Sequence, residues 1–276
     1  MSELRQEYPF RECLEVVGIA RSTYYYHVKA AKKADKYAII KEKICKIWEN
    51  ASGRYGYRRI YAKLRQDGTI INHKTVQRLM KILGFKCMVR LKKYKSYRGE
   101  QGKSVPNILN RDFKATKPYE KLVTDITEFK LHEEKLYLST LQDLYNGEIV
   151  SYSVGKHPNF YLVRSMLEKA LEIIPDTKGM IIHSDQGWHY QQKRYQEILA
   201  ERGIIQSMSR KGNCLDNAVM ENFFGHLKSE LLYIQKFSSM EHFIDELYTY
   251  IHWYNYERIK LNLNGLSPVS YRLKAA

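Results

Sequence analysis

The sequence predicts a mixed α/β fold, a five-stranded sheet flanked by helices, with an all-helical region ahead of it. Three observations carry that expectation. Apolar residues recur at helical spacing as far as Gly84. Three extended runs then follow one another between residues 122 and 155, separated only by turn residues. From there helical and extended patterns alternate up to Ser209, which is the order of an α/β protein.

The opening residues read as helical. Phe10-Arg-Glu-Cys-Leu-Glu-Val-Val-Gly18 precedes Ile-Ala-Arg-Ser-Thr-Tyr-Tyr-Tyr26, so two short helices meet at Gly18, the second capped by Ser22, in a helix-turn-helix-like shape. A further helix spans 36–49 with Ile39, Ile40, Ile44 and Ile47 as its apolar residues. A clearer pair begins at Gly53-Arg-Tyr-Gly-Tyr-Arg-Arg-Ile60. Its first helix, 57–66, turns Ile60, Tyr61 and Leu64 inward, and Asp67-Gly68 makes the turn. Asn72 caps the second, which carries Val76, Leu79, Met80 and Leu83 and stops at Gly84. Arg58, Arg59, Lys74, Arg78 and Lys81 lie outside, as docking on DNA requires; a structural helical hairpin is the plain alternative. Residues 85–117 hold ten basic and two acidic residues and are broken by Gly99, Gly102 and Pro106. They read as a linker, either meeting phosphates with a steep salt dependence or acting as a solvated tether.

Strands are expected at 122–130, 136–143 and 148–155, with turns at 132–134 and at Asn146-Gly147, a strong hairpin signal. A helix at 160–174 is stopped by Pro175. A strand at 180–184, a helix at 190–202 and a strand at 203–209 follow, then a helix from Leu215 onward and a last one at 240–256.

A formal net charge of +16 points to a polyanionic partner. No apolar run is long enough to span a bilayer. The four cysteines, Cys13, Cys45, Cys87 and Cys214, form no Cys-x-x-Cys pair, which fits reduced thiols in a cytoplasm and argues against a zinc site or a disulfide frame. Some of the 23 tyrosines can stack on bases; most should serve the core.

Three acids stand out. Asp125 lies inside the run Leu122-Val-Thr-Asp-Ile-Thr-Glu-Phe129, and Asp185 ends the apolar run Gly179-Met-Ile-Ile-His-Ser-Asp. Aspartate is a poor strand former, so both positions are unusual. Thirty-five residues separate Asp185 from Glu221, room for one helix, one strand and a turn, so the helix of Glu221 can cross both strands. On that helix Leu215, Val219 and Phe223 form an apolar stripe, and Asn217, Glu221 and Lys228 share the opposite side. Three converging carboxylates repel one another unless a cation joins them. Oxygen ligands without a cysteine or histidine pair suit Mg2+ or Mn2+. Two such ions can hold the attacking and leaving oxygens of a phosphoryl transfer. Asp143, Glu148 and Asp216 are the competing acids. His183 is either a proton-handling neighbour of Asp185 or a packed strand residue, and packing is the commoner role.

Thr124-Asp-Ile-Thr127, His183-Ser-Asp-Gln-Gly187, Ser209-Arg-Lys-Gly-Asn213 and Asp216-Asn-Ala-Val-Met-Glu221 together resemble the transposases of the insertion-sequence-three family. The pair opening at Gly53, Asn110-Arg-Asp-Phe113, Tyr254-Asn255, Arg258 and Leu266-Ser-Pro268 with Tyr271 extend the resemblance over roughly residues 50–275. It implies a ribonuclease-H-like core of the retroviral-integrase type. The expected divisions are an N-terminal helical segment (1–50), a helix-turn-helix-like DNA-binding element (51–90), a basic linker (91–118), the catalytic core (119–236) and a C-terminal helix and tail (237–276). The resemblance also implies metal-dependent cleavage at transposon ends and strand transfer by the exposed 3′-hydroxyl, through a circular intermediate. It implies Asp125, Asp185 and Glu221 as catalytic metal ligands for two Mg2+ or Mn2+ ions. Lys228 is implied as a DNA contact, and Asn217, Arg58, Arg59, Lys74 and Arg78 are grouped with it. The partners are double-stranded DNA, as transposon ends and target, and further copies of the chain, at least a dimer. The setting is the bacterial cytoplasm, at the nucleoid. Without a heptad repeat, and starting at Met1, the chain is expected to be a second-frame product served by a first-frame protein or fusion. Two other readings compete: a non-catalytic DNA-binding partner or regulator of a fused transposase, and a nuclease on the same fold that uses only water.

Overall fold

The structure, a computed structural model, describes residues 7–31, 35–89, 105–210 and 213–275. The linker residues 90–104, with most of the basic run, and Lys211 and Gly212 lie outside the described residues. The chain divides into two units, residues 1–46 and 47–276.

In the smaller unit, α1 (Phe10–Val17) ends at Gly18, whose φ of +67° lets the chain reverse while its N–H and that of Ile19 bond back to Glu15 and Leu14 carbonyls. The second helix, α2, is Arg21–Ala31. It begins at Arg21, so Ser22 sits inside its first turn and does not cap it as expected. Phe10 packs edge-on against Tyr24, ring centroids 4.9 Å apart. The next helix, α3 (Ala38–Asn50), runs from one unit into the other.

The larger unit holds the helical pair, α4 (Tyr57–Gln66) and α5 (His73–Ile82). Asn72 caps α5 by accepting the Lys74 N–H at 2.8 Å. Ile60, Leu64, Val76, Leu79 and Met80 close the pair's core. The pair is fastened to the C-terminal part of the same unit. The Tyr55 hydroxyl donates to the Glu257 carbonyl (3.1 Å) and accepts the Ile259 N–H (2.9 Å), and Gln66 donates to the Gly265 carbonyl (2.7 Å).

The sheet comprises β1 (Lys121–Leu131), β2 (Glu134–Asp143), β3 (Ile149–Gly155), β4 (Ile181–Ser184) and β5 (Ile205–Met208), in the order β3-β2-β1-β4-β5. The first three are antiparallel and the last two run parallel to β1. Tight turns permit the antiparallel part: His132, Glu133 and Gly147 all have positive φ. The parallel part needs crossovers, supplied by α6 (Phe160–Ile173) and α7 (Lys193–Glu201). This is the mixed, helix-flanked, ribonuclease-H-like sheet expected from the sequence. Along β1, Leu122 and Ile126 face the core built with Val163, Met166 and Leu199. The alternate residues Asp125 and Phe129 take the other face, where Phe129 meets Phe243 of α9 (Met240–Tyr256) at 5.0 Å.

Three details differ from expectation. Helix α8 spans Ala218–Leu227 and buries Met220, Phe223, Phe224 and Leu227. Leu215 lies before it in a 3-10 turn, Cys214–Asn217, and is 57% exposed, so it belongs to no apolar stripe. The C-terminal tail ends in a helix, α10 (Pro268–Ala275), whose Arg272 forms a two-pronged pair with Glu148 at 2.8 and 3.0 Å. Residues 105–117 are not a free tether. Ser207 Oγ accepts the N–H groups of Ile108 and Leu109 at 2.9 and 3.1 Å, and Leu109 is buried.

Past α8 the chain continues as a π-helical turn, Lys228–Leu232. Its Glu230 is buried and takes Arg258 at 2.6 and 2.8 Å and the Tyr250 hydroxyl at 3.0 Å. Arg54 donates to its backbone carbonyl at 2.9 Å. Removing one partner of a buried pair strands the other charge, so Arg258→Met should cost about 3–5 kcal/mol. Urea unfolding at pH 7 measures this; a change below about 1 kcal/mol would show that the pair is not needed for stability.

Candidate active site

The site begins with strand register. In the parallel pairing of β1 with β4, Thr124 lies opposite Ser184. The next residues, Asp125 inside β1 and Asp185 just past the end of β4, therefore lie side by side on one face. Asp125 Oδ1 accepts the Ile126 N–H at 2.7 Å, and Oδ2 accepts Asn217 Nδ2 at 2.9 Å. Asp185 Oδ1 accepts the Gly187 N–H at 2.9 Å. Burial raises the pKa of Asp125 well above the usual carboxylate range, and the charges of Asp185 and Glu221 push it further the same way. Burial also raises that of Asp185. Glu221 reaches the pair from the first turn of α8.

Lys228 opens the π-helical turn, seven positions beyond Glu221. Its ammonium lies 5.6 Å from the centre of the Phe129 ring. Burial lowers its pKa, while Glu128 and Asp125 act against that shift. The structure thus gathers Asp125, Asp185, Glu221, Asn217 and Lys228 on one side of the sheet. Asn217 is not on the α-helix, as its spacing suggested. The 3-10 turn swings it onto Asp125.

The rival acids have structural partners. Asp143 accepts the N–H groups of Tyr119 and Tyr145, both at 2.9 Å, and burial lifts its pKa to about 6. Glu148 holds Arg272. Asp216 is clasped by Arg210, by Arg111 at 2.8 Å and by Asn107 at 2.9 Å, and these donors hold its carboxyl well below the usual range. His183 is a packed strand residue, its Nδ1 2.8 Å from Ser207 Oγ and its pKa lowered by burial.

Of the cations grouped with DNA, Arg58, Lys74 and Arg78 are exposed. Arg59 is not on that outer surface. It is half-buried, 3.8 Å from Glu230, because α4 turns alternate sides to solvent and to the C-terminal segment.

Sequence reasoning missed the turn after Asp185. A Cβ on Gly187 would stand 2.6 Å from His189 Nε2 and 2.9 Å from Asp185 Oδ1, so any larger residue would displace one of those two side chains. Burial lowers the His189 pKa to about 4, leaving a neutral imidazole beside the acids. Tyr190 is fully buried, its hydroxyl 3.3 Å from Thr124 Oγ1. A Gly-Trp-His-Tyr run directly after a strand-ending aspartate was the available signal. A cleft of about 620 Å3 runs along β3 and contains none of the three acids.

Among the described residues, no three His, Cys, Asp and Glu side chains are gathered tightly enough to ligate one ion together. The donor chemistry nevertheless fits a hard cation. Asp125 and Asp185 are half-buried oxygen donors whose anionic forms desolvation disfavours, a cost that a bound divalent ion would offset.

The sequence matches the family described as Integrase core domain over residues 115–214 and again, by a second family of that description, over 221–275. It matches the HTH-like domain family over 34–93. The putative transposase InsK of insertion sequence element IS150 from Escherichia coli K12 is 52% identical, over 99% of this chain and 96% of that protein. The chain belongs to the insertion-sequence-three family of transposases. Its enzyme class is accordingly that of the DDE-type polynucleotidyl transferases. The transposase for IS904 from Lactococcus lactis is 35% identical over 89% of this chain and 98% of that one. The catalytic core domain of HTLV-2 integrase, in complex with magnesium, superposes with a TM-score of 0.44 at 18% identity, over 57% of this chain and 98% of that one. No described helix of this transposase is long and apolar enough to cross a membrane.

The clasp on Asp216 is testable through pH. Its carboxyl has a depressed pKa in the folded state. Its contribution is therefore complete above the unfolded value of about 4 and is lost as pH falls below it. Asp216→Asn should cost about 1–3 kcal/mol at pH 7, and the gap to the wild type should narrow below about pH 4. Urea unfolding of both proteins across that range measures it; a gap that does not narrow would show that the clasp is not ionic.

Proposed function

We propose that this chain cuts DNA at the ends of a mobile element, exposing a 3′-hydroxyl, and joins that hydroxyl to target DNA, with Asp125, Asp185 and Glu221 holding two Mg2+ or Mn2+ ions. The observation that carries this reading is the side-by-side placement of Asp125 in β1 and Asp185 at the end of β4, with Glu221 in electrostatic reach of Asp125. Bound there, the ions would supply charge stabilisation to the attacking and leaving oxygens. The chain's own residues do the rest. The aspartates, held by the Ile126 and Gly187 N–H groups, give a rigid frame. Lys228, half-buried beside Phe129, holds a phosphate near that frame. Arg58, Lys74 and Arg78, exposed on the helical pair, contact the DNA backbone. Arg59 supports the pair from within by facing Glu230.

The substrate is double-stranded DNA, as element ends and as target. Assembly on two ends requires at least two copies, and a first-frame protein or fusion recognises the terminal repeats. The place of action is the bacterial cytoplasm, at the nucleoid. The family match over both parts of the core favours this reading over a non-catalytic regulator.

A labelled precut end, a plasmid target and Mg2+ or Mn2+ test the proposal, beside Asp185→Asn. Joined product from the wild type alone is expected, and chelation should abolish it. Product from Asp185→Asn at the wild-type rate would refute the role of the acids; salt-sensitive binding without product from either protein would favour the regulator. Glu221→Gln should lower strand transfer at least about a hundredfold while DNA affinity stays within a factor of two.

Arg58→Ala should weaken binding alike on all sequences and reduce the salt slope by about one. An unchanged slope in anisotropy titrations would remove Arg58 from the phosphate contacts.

A further inference from the structure

Asn217 is a side chain that the reaction outlined above leaves without a task. It is 5% exposed. Its Nδ2 donates to Asp125 Oδ2 at 2.9 Å, and its Oδ1 is buried with no hydrogen-bond partner among the described residues. An ionised carboxylate only accepts, so Asp125 fixes which end of the amide faces it. The oxygen must then point elsewhere.

The position is built from outside. Asn217 closes the 3-10 turn Cys214–Asn217. The preceding Asp216 is fully enclosed and accepts from Arg210 through its backbone N–H (3.0 Å), Nε (2.9 Å) and Nη2 (2.9 Å), and also from Arg111 and Asn107. The clasp leaves the turn little freedom to rotate Asn217 away from Asp125. A buried acceptor without a partner is uncommon, and here it sits beside the group read as the first metal ligand.

We propose that Asn217 is a positioning residue with two faces: its amide nitrogen holds Asp125, and its amide oxygen receives the O–H of the attacking water or 3′-hydroxyl. This rests on the function proposed above and deepens it. Phosphate oxygens carry no proton at neutral pH and cannot fill the acceptor, so it discriminates the nucleophile from the phosphodiester. An amide oxygen is too weak a base to take the proton. It orients the O–H while the nucleophile's oxygen attacks phosphorus and the leaving 3′-oxygen departs. The proton passes to solvent.

The test compares wild type, Asn217→Ala and Asp185→Asn. Three quantities are read: Mn2+ affinity of the DNA-free protein by electron paramagnetic resonance, affinity for a labelled end in Ca2+ by anisotropy, and the strand-transfer rate at saturating DNA and Mn2+. For Asn217→Ala we expect Mn2+ affinity to fall 10–100-fold, as for loss of a group that orients a metal ligand. End affinity should stay within twofold, and the saturated rate should fall about a hundredfold. If the rate loss is instead matched by a loss of end affinity, Asn217 is a DNA contact and the proposal fails. Unchanged Mn2+ affinity and unchanged rate also overturn it. Should Asn217→Ala not fold, Asn217→Leu keeps the volume without polar atoms and takes the same three measurements. Wild-type Mn2+ affinity in Asp185→Asn would count against the metal site itself, a failure separate from that of Asn217.

Discussion

The parallel pairing of β1 with β4 is the constraint on which the rest of this transposase depends. Thr124 opposite Ser184 sets where each strand ends relative to the other. A slip of β1 by one residue against both neighbours would turn Asp125 to the opposite face of the sheet, into the core that Leu122 and Ile126 occupy. The register is held by what cannot move: Ile182 and Leu122 packed under α6, and the crossovers that make a parallel pair possible. The acid pair is thus a by-product of core packing on the other face.

Electrostatics works against that arrangement and shapes its surroundings. Asp125 is half-buried and desolvated, and Asp185 and Glu221 both disfavour its charge. Among the described residues its donors are the Ile126 N–H and the Asn217 amide. Three other acids of the unit are treated differently. Asp216, Glu148 and Glu230 each meet arginines: Arg111 and Arg210, Arg272, and Arg258. The protein thus meets three carboxylates with arginines and gives Asp125 no cation nearer than Lys228 among the described residues.

These pairs also engage some of the 46 lysines and arginines behind the net charge of +16. Arg111, Arg210, Arg258 and Arg272 face inward partners, and so does Arg59 on the helical pair. Arg58 and Arg78, by contrast, are exposed on the helical pair. Glu230 stands two residues past Lys228, on the continuation of the catalytic helix, and Arg54 and Arg59 reach it from the helical pair. One buried carboxylate thus ties the helix-turn-helix-like element to the helix that bears Glu221.

Much of this was legible in the residues themselves. The helix boundaries at Tyr57–Gln66 and His73–Ile82, the Asn146-Gly147 turn and the sequence order of the strands follow from local rules: periodicity, caps and turn chemistry. Asp125, Asp185 and Glu221 stood out because aspartate is unusual in or ending a strand and because their motifs recur together in one family. What the sequence could not determine is where a polar side chain points once a neighbouring element arrives. Arg59 and Arg58 are adjacent in sequence, yet one faces Glu230 and the other solvent. Asn217 shares a helical arc with Glu221 on paper, but a 3-10 turn, locked by the nearby Arg210 and by Arg111 from far back in the chain, hands it to Asp125. Local propensity set the elements; long-range ion pairs and strand register, which no window of sequence contains, decided the site.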